Sequence, residues 1–220
     1  MMQISRMAAP VRAQAVEAIR EEIISGRMLP GQKLSERELC EELDVSRNTI
    51  REACRQLEAE GFIEIPPHKG PMVTIITDQD AKDLYEFREA LECFAVELFV
   101  DKADSETRTA LFMAGEVLFA AHNSGDIREM ILAKNHFYDV LYRGTGNRIL
   151  AGQAKLLHGR LAGLRARSLS RGSRPDKSRD EIKEVLAAIQ AGDSSGAAGL
   201  WRQHIRNAAA TALTEDLIPS

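Results

Sequence analysis

The chain has 220 residues, 44% of them hydrophobic and 28% charged, with a formal net charge of −4 at pH 7. That length allows one large domain or two small ones with an apolar core, and the composition is that of an ordinary soluble globular protein. No stretch approaches the roughly 20 apolar residues of a membrane span, and "MMQISRMAAPVRAQAVEAIREEI" lacks a signal-peptide core, so no membrane partner and a cytoplasmic location are expected.

Three cysteines, Cys40, Cys54 and Cys93, form no CxxC pair and lie among apolar or helical neighbours. They read as buried free thiols rather than disulfides or zinc ligands. Charge is uneven along the chain. Residues 1–77 hold ten Lys or Arg against twelve acids, while residues 143–179 hold ten against Asp176 alone. Any anion binding must therefore come from local clusters rather than a diffuse basic field.

Val16, Ile19, Ile23 and Ile24 keep helical spacing from about residue 11, and "SGRMLPG" ends that helix. Ser35 with Glu38 forms a capping box for a short helix carrying Leu39 and Leu43. Ser46 caps a third helix, "RNTIREACRQLEAE", that stops at Gly61. "FIEI" and "MVTII" then read as two strands around "PPHKGP". From Asp78 the strand signals vanish. "DAKDLYEFREALECFAVELFV" is predicted helical, with Leu84, Phe87, Leu91, Ala95 and Leu98 on one face. Further helices are expected at about 105–123, 126–143, 147–170, 176–191 and 194–215. The fold class is mainly α. A winged helix-turn-helix occupies residues 1–77, and an all-α antiparallel bundle of residues 78–220 follows with almost no linker.

In a helix-turn-helix the second helix presents its N-terminal residues to base edges. Here that end is "SRNTIRE": Arg47 and Arg51 lie one turn apart with Asn48 and Thr49 between them. Arginine offers a two-pronged donor to guanine, and Asn or Thr can reach bases or phosphates. His68 and Lys69 sit at the hairpin tip, where a wing would touch an adjacent groove. Taken singly, these arginines would fit a solvated amphipathic helix equally well; the order of capped helices, short turn and hairpin favours DNA.

The stretch "GRMLPGQKLSERELCEELDVSRNTIREACRQLEAEGFIEIPPHKGPMV" resembles the winged helix-turn-helix of GntR-family bacterial transcription regulators. The resemblance covers the whole first domain. It implies DNA contacts from Arg37, from the Ser46-Arg47 corner with Asn48, Thr49 and Arg51, and from the wing at His68, Lys69 and Gly70. Asn48-Thr49-Ile50 stands where the commonest family pattern has a proline, which is similar to the FadR branch. Glu52, beside Arg51, is expected to fix that arginine or to face away from DNA.

"LYEFREALECFAVELF", "NHFYDVLYRGTGNRIL" and "VLAAIQAGDSSGAAGLWRQHI" resemble the FadR-type C-terminal domain known as FCD. The resemblance implies a small-molecule effector, often an organic acid, and a homodimer that meets palindromic operator DNA. Many such domains hold a divalent metal with one Asp and three His. Counting back from Gly146-Asn147 and from Gly192-Asp193 puts those positions at Lys134, Tyr138, Ile182 and His204, so one ligand of four remains. No metal cofactor is expected. His136 and Asp139, three apart on a helix face, could hold a cation in principle, but they are rotated roughly 200° and 100° from the ligand positions.

Lys134 in place of an acid suggests an alternative: an ammonium supplying the positive charge that a metal would. The pocket is then expected to bind an anion through Lys134, Arg88, Tyr138 and His204. The other reading is an apolar cavity sensing an acyl chain, with Lys134 reaching the surface. Arg160, Arg165 and Arg167 either line that pocket or, the preferred reading, lie on a solvated or interdomain face. Trp201 is expected in the core with its N–H seeking a partner. An enzyme would need a convergent nucleophile, base or metal cluster, and the five histidines are scattered, with no GxSxG, HExxH or phosphate loop. The expected function is a ligand-responsive transcription regulator, a repressor in preference to an activator. A helical adaptor using its winged domain for protein contacts is the remaining class.

Overall fold

A computed structural model of the chain describes residues 8–169 and 171–213. It divides into two compact units, Met1–Ile76 and Thr77–Ser220.

In the first unit α1 (Ala8–Ile24) packs along α3 (Arg47–Ala59), with α2 (Glu36–Leu43) between them in sequence. Both short helices begin at a serine whose hydroxyl accepts a free backbone N–H: Ser35 from Glu38 at 3.3 Å and Ser46 from Thr49 at 3.2 Å. Each such cap is worth about 1 kcal/mol. Ile19, Leu39, Ile50, Ala53, Leu57, Phe62 and Val73 close the core. Arg20, 7% exposed, is held over it by Glu17 and by Glu60 at 2.6 Å.

The wing is shorter than its sequence suggests. β1 (Ile63–Glu64) pairs antiparallel with β2 (Met72–Val73), in register Ile63 with Val73 and Glu64 with Met72. Prolines at 66, 67 and 71 carry no backbone N–H, which stops the ladder at both ends of the hairpin. The far edge of β2 is covered by the chain before α2, where Gly31 N–H donates to Val73 and Val73 N–H to Gln32, both at 2.9 Å.

Among the described residues the second unit is a bundle of seven helices: α4 (Asp78–Lys102), α5 (Ser105–Ser124), α6 (Ile127–Gly144), α7 (Arg148–Arg160), α8 (Ala162–Leu169), α9 (Arg174–Ala191) and α10 (Ser194–Ala212). α4 packs on α10, α6 and α7, and α5 packs on α6 and α9. The helix expected over 147–170 is interrupted at Leu161, flanked by the weak helix formers Gly159 and Gly163. Thr77 and Asp80 form a reciprocal capping box at the start of α4. α6 ends where it crosses α4 and α5. A Cβ on Gly144 would stand 2.3 Å from the Phe99 ring and 2.8 Å from Thr107, so no larger residue fits there unless the helices part.

The buried face of α4 matches in part the one read from hydropathy: Leu84 and Ala95 are buried, and Leu91 and Leu98 are half-buried. Phe87 is 51% exposed, whereas Arg88 and Glu92 lie in the buried stripe with Ala81, Leu84, Tyr85, Ala95, Val96 and Phe99. Two charged residues at core positions displaced the apparent apolar pattern.

Of the cysteines, Cys54 and Cys93 are buried and Cys40 is half-buried, all free thiols. No helix among the described residues is long and apolar enough to cross a membrane.

Candidate functional site

The sequence points to two sites, one in each unit. On the first, the N-terminal end of α3 is exposed at Arg47, Asn48 and Arg51, with Thr49 half-buried and its hydroxyl 2.9 Å from that of Ser46. Arg37 on α2 is exposed and paired with Glu41 at 2.9 Å. His68, Lys69 and Gly70 are exposed at the wing tip, and both His68 (φ +64°) and Gly70 (φ +75°) take the left-handed conformation that turns the hairpin. These residues thus offer hydrogen-bond donors on one helix end and one turn.

Of the two roles expected of Glu52, fixing Arg51 is not the one it takes. Arg51 Nε donates to Glu36 at 3.0 Å, while Glu52 pairs with Arg55 at 3.5 Å. The residue that restrains Arg51 comes from the preceding helix.

The second site is a buried polar network inside the bundle. Glu92 is fully buried and accepts from Arg88 Nε at 2.8 Å, His158 Nε2 at 2.7 Å and Trp201 Nε1 at 2.9 Å. Burial works against its charge, but the attraction of Arg88 and the His158 hydrogen bond outweigh it and hold the carboxyl below its ordinary range. His158 is pushed down to about 3 by burial, against the pull of Glu92, and is therefore neutral. Its Nδ1 faces the Arg165 guanidinium, which only donates, so the imidazole proton sits on Nε2. Trp201 fills the core as expected, and Glu92 is the partner of its N–H.

A second buried cluster lies on α9 and α10. Arg174 grips Glu181 with both Nη atoms at 3.0 and 2.8 Å, and His204 Nδ1 donates to Glu181 at 2.6 Å. Burial again opposes ionisation of Glu181, but His204 and Arg174 bring its carboxyl down to about 2. Burial, with repulsion from Lys134, takes His204 down to about 3, leaving a neutral ring whose Nε2 has no hydrogen-bond partner among the described residues.

Between these clusters is a cavity of about 10 Å³, room for one water-sized molecule. Arg88, Lys134, Arg165 and Arg174 line it, together with Tyr85, Tyr138, Ser168, Ser178, Leu169 and Ala208. Arg88 Nη2 donates to the Tyr138 hydroxyl at 3.0 Å, and the Arg88 and Arg165 guanidiniums lie 5.8 and 5.1 Å from the Tyr138 ring centre. Lys134 is 4% exposed and donates to Ser178 Oγ at 2.8 Å. Burial, then repulsion from Arg88, Arg165 and Arg174, holds its ammonium well below the ordinary lysine range.

Three of the four effector residues read from sequence, Arg88, Lys134 and Tyr138, line this cavity together. His204 stands behind it against Glu181 and Trp201 rather than in its wall. Arg165 departs from the solvated face preferred for it and is 5% exposed; Arg160 is half-buried, and the Arg167 side chain lies outside the described residues. Arg174, Ser168 and Ser178 were not legible as pocket residues, since no local pattern separates them from other surface-type residues in a helix.

His136 and Asp139 are both exposed, turned away from buried Lys134 and Tyr138. Among the described residues no group of three or more His, Cys, Asp or Glu is arranged to hold a metal ion. The family's metal positions hold an ammonium, a phenol, the buried Ile182 and His204, a donor set that does not fit a divalent ion.

Fold and sites together define a winged helix-turn-helix protein with an all-helical C-terminal domain. The family model described as "Bacterial regulatory proteins, gntR family" matches residues 11–73, and the "FCD domain" model matches residues 83–207. The chain belongs to the gntR family of bacterial regulatory proteins, in the group that carries an FCD domain.

It is 34% identical over 142 residues to an uncharacterized HTH-type transcriptional regulator, YdhC, of Bacillus subtilis, covering 64% of this chain and 63% of the relative. It is 32% identical over 117 residues to the Nta operon transcriptional regulator of Aminobacter aminovorans, covering 52% of this chain and 54% of that one. The chain thus spans between half and two thirds of these relatives. A longer match, 25% identical over 85% of this chain and 89% of the relative, is the HTH-type transcriptional repressor GlaR of Escherichia coli. These relatives are named as transcription regulators, not enzymes.

Among solved structures, E. coli McbR/YncC superposes with a TM-score of 0.79 at 21% identity over 93% of this chain and 95% of that one. A GntR regulator from Rhodococcus sp. RHA1 gives 0.79 at 23% identity, over 94% and 99%. These show the fold.

Proposed function

We propose that this chain is a cytoplasmic, homodimeric, DNA-binding transcription regulator, a repressor whose affinity for palindromic operator DNA is set by a small anionic metabolite in the C-terminal bundle. The cavity lined by four cations carries the effector reading. An acyl chain would leave cations that line the cavity without a counter-charge. Arg37, Ser46, Arg47, Asn48, Thr49 and Arg51 with the wing at His68, Lys69 and Gly70 are the residues assigned to DNA. The effector residues are Arg88, Lys134 and Tyr138, with His204 supporting them through Glu181.

Self-association is supported by a groove between α4 and α10. There Phe94 is 50% exposed beside Glu86, Glu89 and Glu97, with Arg202 and Arg206 also in the wall. Opposite charges flanking an exposed aromatic suit a two-fold contact in which one patch meets its own copy. Effector binding lowers operator affinity to the extent that the anion prefers the DNA-free state.

The test is fluorescence anisotropy on an upstream promoter fragment, titrated with protein across a salt series and then with organic acids. The expected result is steeply salt-dependent binding reversed by an anion. Binding that ignores salt would favour the adaptor class, and operator release by neutral or acyl compounds alone would remove the anion.

A further inference from the structure

The charge count inside the bundle deepens this reading, on which it rests. Arg88, Lys134, Arg165 and Arg174 line one cavity, and none is more than 5% exposed. Two carboxylates answer them. Glu92 pairs with Arg88, and Glu181 pairs with Arg174. Arg165 instead contacts Asn135 and His158, both neutral, and Lys134 donates its hydrogen bond to the Ser178 hydroxyl. Arg165 Nε and Arg174 Nε, both buried, have no hydrogen-bond partner there.

A buried cation without a carboxylate is unstable on its own, and so is a buried donor without an acceptor. Both defects meet at one cavity, and both would be relieved by oxygen atoms carrying negative charge. We infer that the pocket takes a small dianion whose two charges answer Arg165 and Lys134, with no metal ion taking part. The donor set supports the last point, since Lys134 occupies the position where a metal-binding relative would place a carboxylate, and an ammonium repels a cation. The small free volume means that the ligand enters by parting side chains, which restricts it to compact species. Two chemistries share these properties: a short dicarboxylate and a phosphate.

The experiment is isothermal titration calorimetry on the full chain, with and without EDTA. Malonate, succinate and inorganic phosphate serve as dianions, and propionate and butyrate as length-matched monoanions. At least one dianion is expected to bind tenfold or more tighter than the monoanions, unchanged by EDTA. The dicarboxylate and phosphate arms tell which chemistry the pocket prefers. Lys134→Met is expected to abolish the dianion's advantage and to raise the melting temperature of the ligand-free protein, because it removes a buried amine that no carboxylate answers.

Monoanions binding as tightly, a dianion preference that survives in Lys134→Met, binding lost to EDTA, or no binding by any of these anions would each overturn the inference. Operator binding is measured on the same preparation. A protein that binds DNA and releases it to monoanions keeps the proposed function and loses the dianion. One that binds the dianion but no DNA loses the regulator reading instead.

Discussion

Trp201 on α10 donates its indole N–H to Glu92 on α4 at 2.9 Å, joining two helices 109 positions apart in the chain. The same carboxylate takes Arg88 and His158, so α4, α7 and α10 meet at a single pair of oxygen atoms. Removing that carboxylate leaves Arg88 buried without its counter-charge. Glu92→Ala should cost about 3–5 kcal/mol in urea denaturation, the range for breaking a buried ion pair from one side. Trp201→Phe keeps most of the packing and loses one hydrogen bond to a charged group, about 1.5–3 kcal/mol. A Glu92→Ala protein as stable as the parent would show that the network is not a structural tie.

Arg51 is restrained by Glu36 at 3.0 Å, an exposed pair that contributes little to stability. Its effect is expected on DNA binding. Arg51→Ala should weaken operator binding by about 1–3 kcal/mol and relax specificity at one base position. Glu36→Gln should tighten binding to non-specific DNA, since it removes a negative charge beside the same face. Anisotropy with specific and scrambled fragments separates the two effects.

Acid should unfold the bundle earlier than its carboxylates alone would require. His158 and His204 are both held at about 3, against an ordinary value near 6.5. Between those values the unfolded chain takes up protons that the folded chain refuses, so stability falls as pH drops from about 6.5 towards 3. Each group contributes a slope of up to about 1.4 kcal/mol per pH unit. Glu181, held at about 2, adds to the loss below the ordinary glutamate value. Melting temperatures at pH 7, 6 and 5 should decline progressively, and a flat profile would mean that the two rings titrate in the native state as they do in the unfolded chain.

Gly144 has no room for a side chain, with the Phe99 ring 2.3 Å from where its Cβ would be. Gly144→Ala gains helix propensity of about 1 kcal/mol but must separate α6 from α4 and α5. Overpacking of this kind costs about 1–3 kcal/mol, so a net loss is expected in thermal denaturation. Shortening the ring partner in a Phe99→Leu background should recover part of it.

The winged unit was legible because its signals are local. Ser35, Ser46 and the prolines around the hairpin act on their immediate neighbours, and they mark the same boundaries in sequence and in space. The bundle was legible as helices but less so as a pocket. Arg88 and Glu92 occupy core positions on α4, and hydropathy cannot tell a buried ion pair from a solvated one, so the apolar pattern places Leu84 and Ala95 inside but also takes in the exposed Phe87. Arg165 and Arg174 become pocket residues only through partners elsewhere in the bundle, Asn135 and His158 for one and Glu181 for the other. Lys134 and Tyr138 were found only through family positions, not through any property of "AKNHFYDVLY" itself.

The two neutral histidines hold their protons on opposite ring nitrogens, His158 on Nε2 towards Glu92 and His204 on Nδ1 towards Glu181. They therefore have different amide surrogates. A glutamine can place its NH₂ near the ε position and an asparagine near the δ position, so His158→Gln and His204→Asn each preserve the bond to the carboxylate while removing the titratable group. The reversed pair, His158→Asn and His204→Gln, has the same composition but leaves both glutamates short of a donor.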